Sequence, residues 1–124
     1  DTKNPICVIS VKKKKSQQKT IKKLKSLSSF IKILVIVDNQ NNDLSNPYML
    51  LWRVVNNIDA TRDIKLKSFI AIDATNKNEL DGFEREWPDD THCTKDVLDT
   101  LKQKGIINID DEFIKKFGLL PFEN

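Results

Sequence analysis

Phe69-Ile70-Ala71-Ile72-Asp73-Ala74-Thr75-Asn76-Lys77 joins an apolar, β-type run to a compact polar pentad, with neither glycine nor proline between them. A strand that stops at an acid and opens into a polar turn is where α/β proteins place chemistry, because ligands bind beyond the carboxyl ends of strands. Upstream lie two similar runs, Ile6-Cys7-Val8-Ile9-Ser10-Val11 and Ile33-Leu34-Val35-Ile36-Val37, the second stopped by Asp38. Both are apolar on successive positions, which predicts strands buried on two faces. Between them Ser16 is placed to cap a helix reaching about Phe30, with Ile21, Leu24, Leu27 and Phe30 on one side. Strand, helix and strand within about 30 residues predict a βαβ unit with parallel strands.

After Asp38 comes a loop of Asn, Gln, Asp and Ser, residues whose side chains bond back to the backbone. Pro47 fits the first position of a second helix, with Asn46 as its cap. That helix holds Met49, Leu50, Leu51, Trp52, Val54 and Val55, a wide apolar arc that predicts deep burial. Asp59-Ala60-Thr61-Arg62-Asp63 breaks it, and Ile64 to Ile72 reads as the third strand. The expected fold is α/β, a small βαβαβ doubly wound sheet, mostly parallel, followed by C-terminal helices. Thr94 and Asp110 or Asp111 start those helices, and Gly105 and Gly118 end them. Residues 1–93 form the α/β core and 94–124 a helical segment for assembly, within one domain. Phe113, Phe117, Leu119, Leu120 and Phe122 are its expected contact residues, since an apolar tail gains nothing in water.

With 124 residues, 39% hydrophobic and 31% charged, the chain has the composition of a soluble globular domain with a single core. No apolar run approaches the roughly 20 residues of a membrane helix. The start, without Met and without a basic-then-apolar leader, suits a fragment of a longer protein. Cys7 and Cys93, two isolated cysteines, point to a reducing cytoplasm rather than a disulfide scaffold. The net charge of +3 is unevenly spread: residues 1–37 carry ten lysines against Asp1, and the remaining eleven basic residues face seventeen acids. A basic block can recruit nucleic acid or an anionic membrane, but no aromatics interleave with these lysines to stack bases. The expectation is no nucleic-acid partner. Lys12 to Lys15 are expected to end the first strand in solvent.

Several clusters could carry chemistry. Asp38 could bind a metal or a ribose, but the amides that follow favour a capped loop. Asp59, Arg62 and Asp63 favour a local ion-pair cluster. His92 and Cys93 lack the spacing of a zinc site or a nucleophile–base pair, and three glycines cannot build a phosphate cradle. No metal ligands and no self-contained catalytic residues are expected. In the pentad, Asp73 emerges half desolvated from its strand, and Lys77 can neutralise it or reach an anion. The alternative is a strand-end Asx turn with Lys77 in solvent.

The ordered set Val8-Ile9-Ser10-Val11-Lys12-Lys13, Val35-Ile36-Val37-Asp38, Trp52, Asp59-Ala60-Thr61-Arg62-Asp63, Ile72-Asp73-Ala74-Thr75-Asn76-Lys77 and Arg85-Glu86-Trp87 resembles the carboxy-terminal domain of the UbiD family. These are the prenylated-FMN-dependent decarboxylases related to 3-octaprenyl-4-hydroxybenzoate carboxy-lyase. The resemblance implies part of a carboxy-lyase acting on an aromatic acid in ubiquinone or menaquinone synthesis. It implies a separate, earlier domain that holds prenylated FMN, a divalent metal (manganese) and potassium, none of them held by this fragment. It further implies a homo-oligomer, a cytoplasmic location, and peripheral membrane association through a lipophilic substrate. Phe69, Ile72, Asp73, Thr75 and Lys77 would then line one wall of the cleft, although relatives carry Lys where this chain has Phe69. Trp52 and Trp87 would pack, and the fragment alone would be inactive. Two further readings are a stand-alone basic module for an anionic partner and a small hydrolase using Asp73 or Cys93.

Overall fold

A computed structural model describes residues 5–14, 17–27, 29–40 and 42–117. The elements run β1 (Ile6–Val11), α1 (Gln17–Lys23) continued by a 3-10 turn (Leu24–Leu27), β2 (Ile33–Asp38), α2 (Pro47–Asn57), α3 (Ala60–Asp63), β3 (Ile64–Leu66), β4 (Ile70–Asp73), α4 (Lys95–Gln103) and α5 (Asp111–Phe117). One four-stranded sheet has the order β1-β2-β4-β3. β1 pairs with β2, and β2 with β4, in parallel; β3 returns antiparallel to β4. Register aligns Val11 with Asp38 and Ile36 with Asp73, so the strand ends that carry the polar residues lie side by side. No described helix is long and apolar enough to cross a membrane.

β2 is the centre, and its side chains alternate between two cores. Leu34 and Ile36 join Ile21, Phe69 and Ala71 on the side of α1, backed by Cys7, Ile9, Val11, Leu24 and Ile31. Val35 and Val37 join Ala74 on the other side, where Leu50, Val54 and Ile58 pack with Ile72. A strand covered on both faces has no position for a polar residue, which explains its unbroken apolar run.

Four expectations are corrected. Ile64 to Ile72 is a hairpin rather than one strand: Lys67, Ser68 and Phe69 make the turn, closed by Lys67 N–H donating to the Phe69 carbonyl at 3.2 Å. The alternation Ile64, Lys65, Leu66, Lys67 continues into that turn without glycine or proline to mark it. β1 is an edge strand and only partly buried, because β2 is its single neighbour in the sheet. The first helix ends at Leu27, and Phe30 is 71% exposed. α2 is not deeply buried: Leu51 and Val55 remain 64% and 58% exposed. Its apolar arc is really two stripes, one on the sheet and one facing outward.

Local signals hold better. Pro47 starts α2, and Asn46 Oδ1 accepts from Met49 N–H at 3.2 Å. Asp110 Oδ1 accepts from Phe113 N–H at the start of α5, and Gly105 takes the left-handed conformation after α4. Thr94 occupies the cap position of α4 without a side-chain cap bond. α5 lies on α2, with Tyr48 and Phe117 edge to face at 5.3 Å. Ser16, Asn41, Gly118, Leu119, Leu120 and Phe122 lie outside the described residues.

Candidate functional site at the strand ends

β4 stops at Asp73, and the pentad folds back on itself. Asp73 Oδ1 accepts from Thr75 N–H at 3.1 Å and from the Thr75 hydroxyl at 2.6 Å, an Asx turn that fixes the loop's direction. Lys77 turns inward rather than into solvent, only 2% exposed. Its Nζ donates to the Asp73 and Thr75 carbonyls, each at 2.7 Å, and stands 3.5 Å from Asp73 Oδ1 and 3.6 Å from Asp63 Oδ1. Burial pushes the Lys77 pKa down, against the attraction of Asp73 and Asp63.

Neighbouring elements complete the network. α3 supplies Asp63, which takes a two-pronged bond from Arg62 at 2.8 and 2.7 Å and the Asp59 N–H at 2.8 Å. Burial raises its pKa, but the bonds from Arg62 and the Asp59 N–H, with the charges of Lys77 and Arg62, hold it below the usual carboxylate range. The Asp59–Arg62–Asp63 cluster is therefore local, as expected, yet it also anchors the pentad. From the end of β1, Lys13 Nζ donates to Thr75 Oγ1 at 2.9 Å and the Asn76 carbonyl at 2.6 Å, and pairs with Asp81. Lys13 is thus not a solvated strand end. The basic run gave no sign of this, because its partners lie more than 60 residues away. Asn57 of α2 donates to the Ala74 carbonyl at 3.0 Å and to Asn76 Oδ1 at 2.9 Å.

Asp38 stands apart. Its loop is capped as the sequence suggested, with Asn42 Nδ2 donating to the Asp38 and Gln40 carbonyls. Its carboxylate instead crosses the sheet end and accepts from Asn76 N–H at 2.7 Å. Among the described residues it forms no ion pair. Burial pushes its pKa up, with the Asp73 charge adding to the effect, against the Asn76 bond and the lysines. It faces a polar cleft of about 300 Å³ lined also by Lys12, Lys13, Asn39, Gln40, Asn42, Asn76, Asn78 and the Arg53–Asp90 pair. A half-buried carboxyl with a raised pKa can hold or release a proton near a ligand. Sequence reasoning set Asp38 aside; its place at a strand end was the available signal.

The other candidates divide. Asp73 and Lys77 line a small cavity of about 50 Å³ with Arg62, Asp63 and Asp81. Phe69 lies in the core on the α1 side, and Ile72 packs on the opposite face. His92 and Cys93 are exposed, and among the described residues no three His, Cys, Asp or Glu side chains converge to hold a metal. Against a flavin phosphate and its counter-ion these residues do not fit: of Asp38, Asp63, Asp73 and Asp81, the last three are already paired with Lys or Arg, and Thr75 and Lys77 are buried in their own loop.

Two uncharacterized proteins of Helicobacter pylori, strains ATCC 700392 / 26695 and J99 / ATCC 700824, are each 49% identical over 120 residues, 95% of this chain. The chain spans about a fifth of their length, 20%. An evolved dimeric form of the UbiD-class enzyme HmfF from Pelotomaculum thermopropionicum, solved in complex with prFMN, shares the fold with a TM-score of 0.50. The likeness covers 82% of this chain and 22% of that one, at 24% identity. Residues 2–100 match the family model of the 3-octaprenyl-4-hydroxybenzoate carboxy-lyase C-terminal domain, and the chain belongs to that family.

Proposed function

We propose that this chain is the C-terminal domain of a UbiD-like non-oxidative decarboxylase acting on an aromatic acid in quinone biosynthesis, either a prenylated hydroxybenzoate or a naphthoate. The observation that carries the reading is the family match over residues 2–100, in a chain one-fifth the length of its relatives. An earlier domain would hold prenylated FMN with manganese and potassium and supply the acid–base groups. This domain contributes one cleft wall and an assembly surface, and is inert alone.

In that reading the strand-end residues have separate duties. Asp73, Thr75 and Lys77 make the loop of the wall rigid, while Asp38 and Lys12 face the polar cleft beside it. Phe69 and Ile72 give the wall its apolar backing on the two sides of β4. Assembly would use Phe113 and Phe117 of α5 with the outward stripe of α2.

The test is CO₂ release from a hydroxybenzoate and a naphthoate, measured for the full-length parent protein loaded with prenylated FMN and for the 124-residue chain alone. Turnover by the parent and none by the chain supports the reading. A fully loaded parent inert toward every aromatic acid, or turnover by the chain alone, overturns it.

A further inference from the structure

On the α1 side of the β3–β4 hairpin lies a cavity of about 370 Å³, distinct from the polar cleft at the strand ends. Its floor is Ile21, Phe69 and Ala71, all buried core residues. Its rim is Lys22, Lys65 and Lys67 with Ser68. The topology explains the opening. α1 has seven residues and packs through Ile21 against Leu34 and Ile36 of β2. Lys65 pairs with Ala71 across the hairpin and so lies on the same face of the sheet. The turn at Lys67 to Phe69 closes one end.

No acid among the described residues lines this cavity; Asp63, Asp73 and Asp81 line the smaller adjoining cavity, which shares Ile21 and Lys65 with it. Among the described residues, the amines of Lys22, Lys65 and Lys67 have no hydrogen-bond or ion-pair partner. An apolar floor favours an apolar body, while three unpaired cations at its edge favour a negative head. Either feature alone is ordinary; their coincidence around one open cavity selects a ligand that has both.

We propose that this cavity binds a small amphipathic anion, an apolar body of about ten non-hydrogen atoms ending in one carboxylate or phosphate. The body covers Ile21, Phe69 and Ala71, and the head lies among the three lysines. The site does not require the decarboxylase reading, although Phe69 takes part in both.

The test titrates octanoate into the isotopically labelled chain and follows backbone amide shifts, with 1-octanol and acetate as probes of body and head alone. Octanoate should shift residues 21, 22 and 65–71 saturably, with octanol and acetate binding at least about tenfold more weakly. Changing Lys22, Lys65 and Lys67 together to Gln should weaken octanoate about tenfold, whereas the same change at Lys102, Lys104 and Lys115 should not. Capture on phosphatidylglycerol vesicles that octanoate competes away would support the site with a lipid as the source of the anion. No saturable shifts at these residues, equal binding of 1-octanol, or an unchanged triple variant would overturn the proposal.

Discussion

Lys77 brings a positive charge to a place where only 2% of its surface meets water. Its amine is held by two carbonyls and two carboxylates, so the burial cost is offset only while all of them stay in place. Lys77→Met removes the charge, keeps the stem, and leaves the half-buried Asp73 without its cation. We expect it to lower stability by about 3 kcal/mol in chemical denaturation; a loss under about 1 kcal/mol would show the network to be incidental. Asp63 adds a pH dependence. Its folded pKa lies below the ordinary 3.8, so its stabilisation is fully present above pH 3.8 and is lost as pH falls through the folded value. Asp63→Asn should therefore be less stable than the parent at neutral pH, and that deficit should shrink in acid. A deficit that stays constant down to the acid transition would contradict the assignment. At this scale the sequence was informative where partners are close along the chain. Asp59, Arg62 and Asp63 were recognisable as a cluster, but Lys13 and Asp81, 68 positions apart, were not.

Between elements, Asn46 joins two helices with one side chain. Its carbonyl oxygen caps α2 at Met49 N–H, and its Nδ2 donates to the Lys116 and Lys115 carbonyls of α5 at 3.1 and 3.4 Å. The last carbonyls of a helix need donors, and α5 takes two from the start of α2. Asn46→Ala should cost about 1 kcal/mol through the lost cap and speed amide exchange across residues 111–117. Asn46→Asp keeps the acceptor and loses the donor, so it should spare α2 and still loosen α5. Unchanged exchange in α5 with both variants would disprove the coupling. The cap was legible because Asn-Pro at a helix start is local chemistry. The second role was hidden, because it depends on where α5 lands. The β3–β4 turn was missed for the opposite reason: a period-two pattern ran on through residues that the chain uses to reverse.

Over the whole molecule, apolar surface is distributed unevenly. Tyr48, Leu51 and Val55 form a stripe along the outer face of α2, continued by Phe117 and Phe113 of α5 through ring contacts at 5.3 and 4.7 Å. Contiguous exposed apolar surface marks a contact in soluble proteins. If assembly uses this stripe, the chain should self-associate, and Leu51→Lys with Val55→Lys should weaken dimerisation at least about tenfold in sedimentation velocity. A parent chain that stays monomeric at every concentration would remove the stripe from assembly. The opposite stripe, Leu50 and Val54, is committed to the sheet and is unavailable for such a contact.

The sequence by itself determined the strands of the parallel core, their order along the chain, the caps at Asn46, Asp110 and Gly105, and the family, because apolar periodicity and cap chemistry act over a few residues. It also located the pentad at a strand end. Only the tertiary structure decided that Lys77 points inward, that Lys13 closes the loop, and that Asp38 accepts from the Asn76 N–H and, among the described residues, forms no ion pair. Those outcomes depend on which strand ends the sheet aligns, a register set by packing over the two faces of β2. The same packing decided which face of α2 meets water.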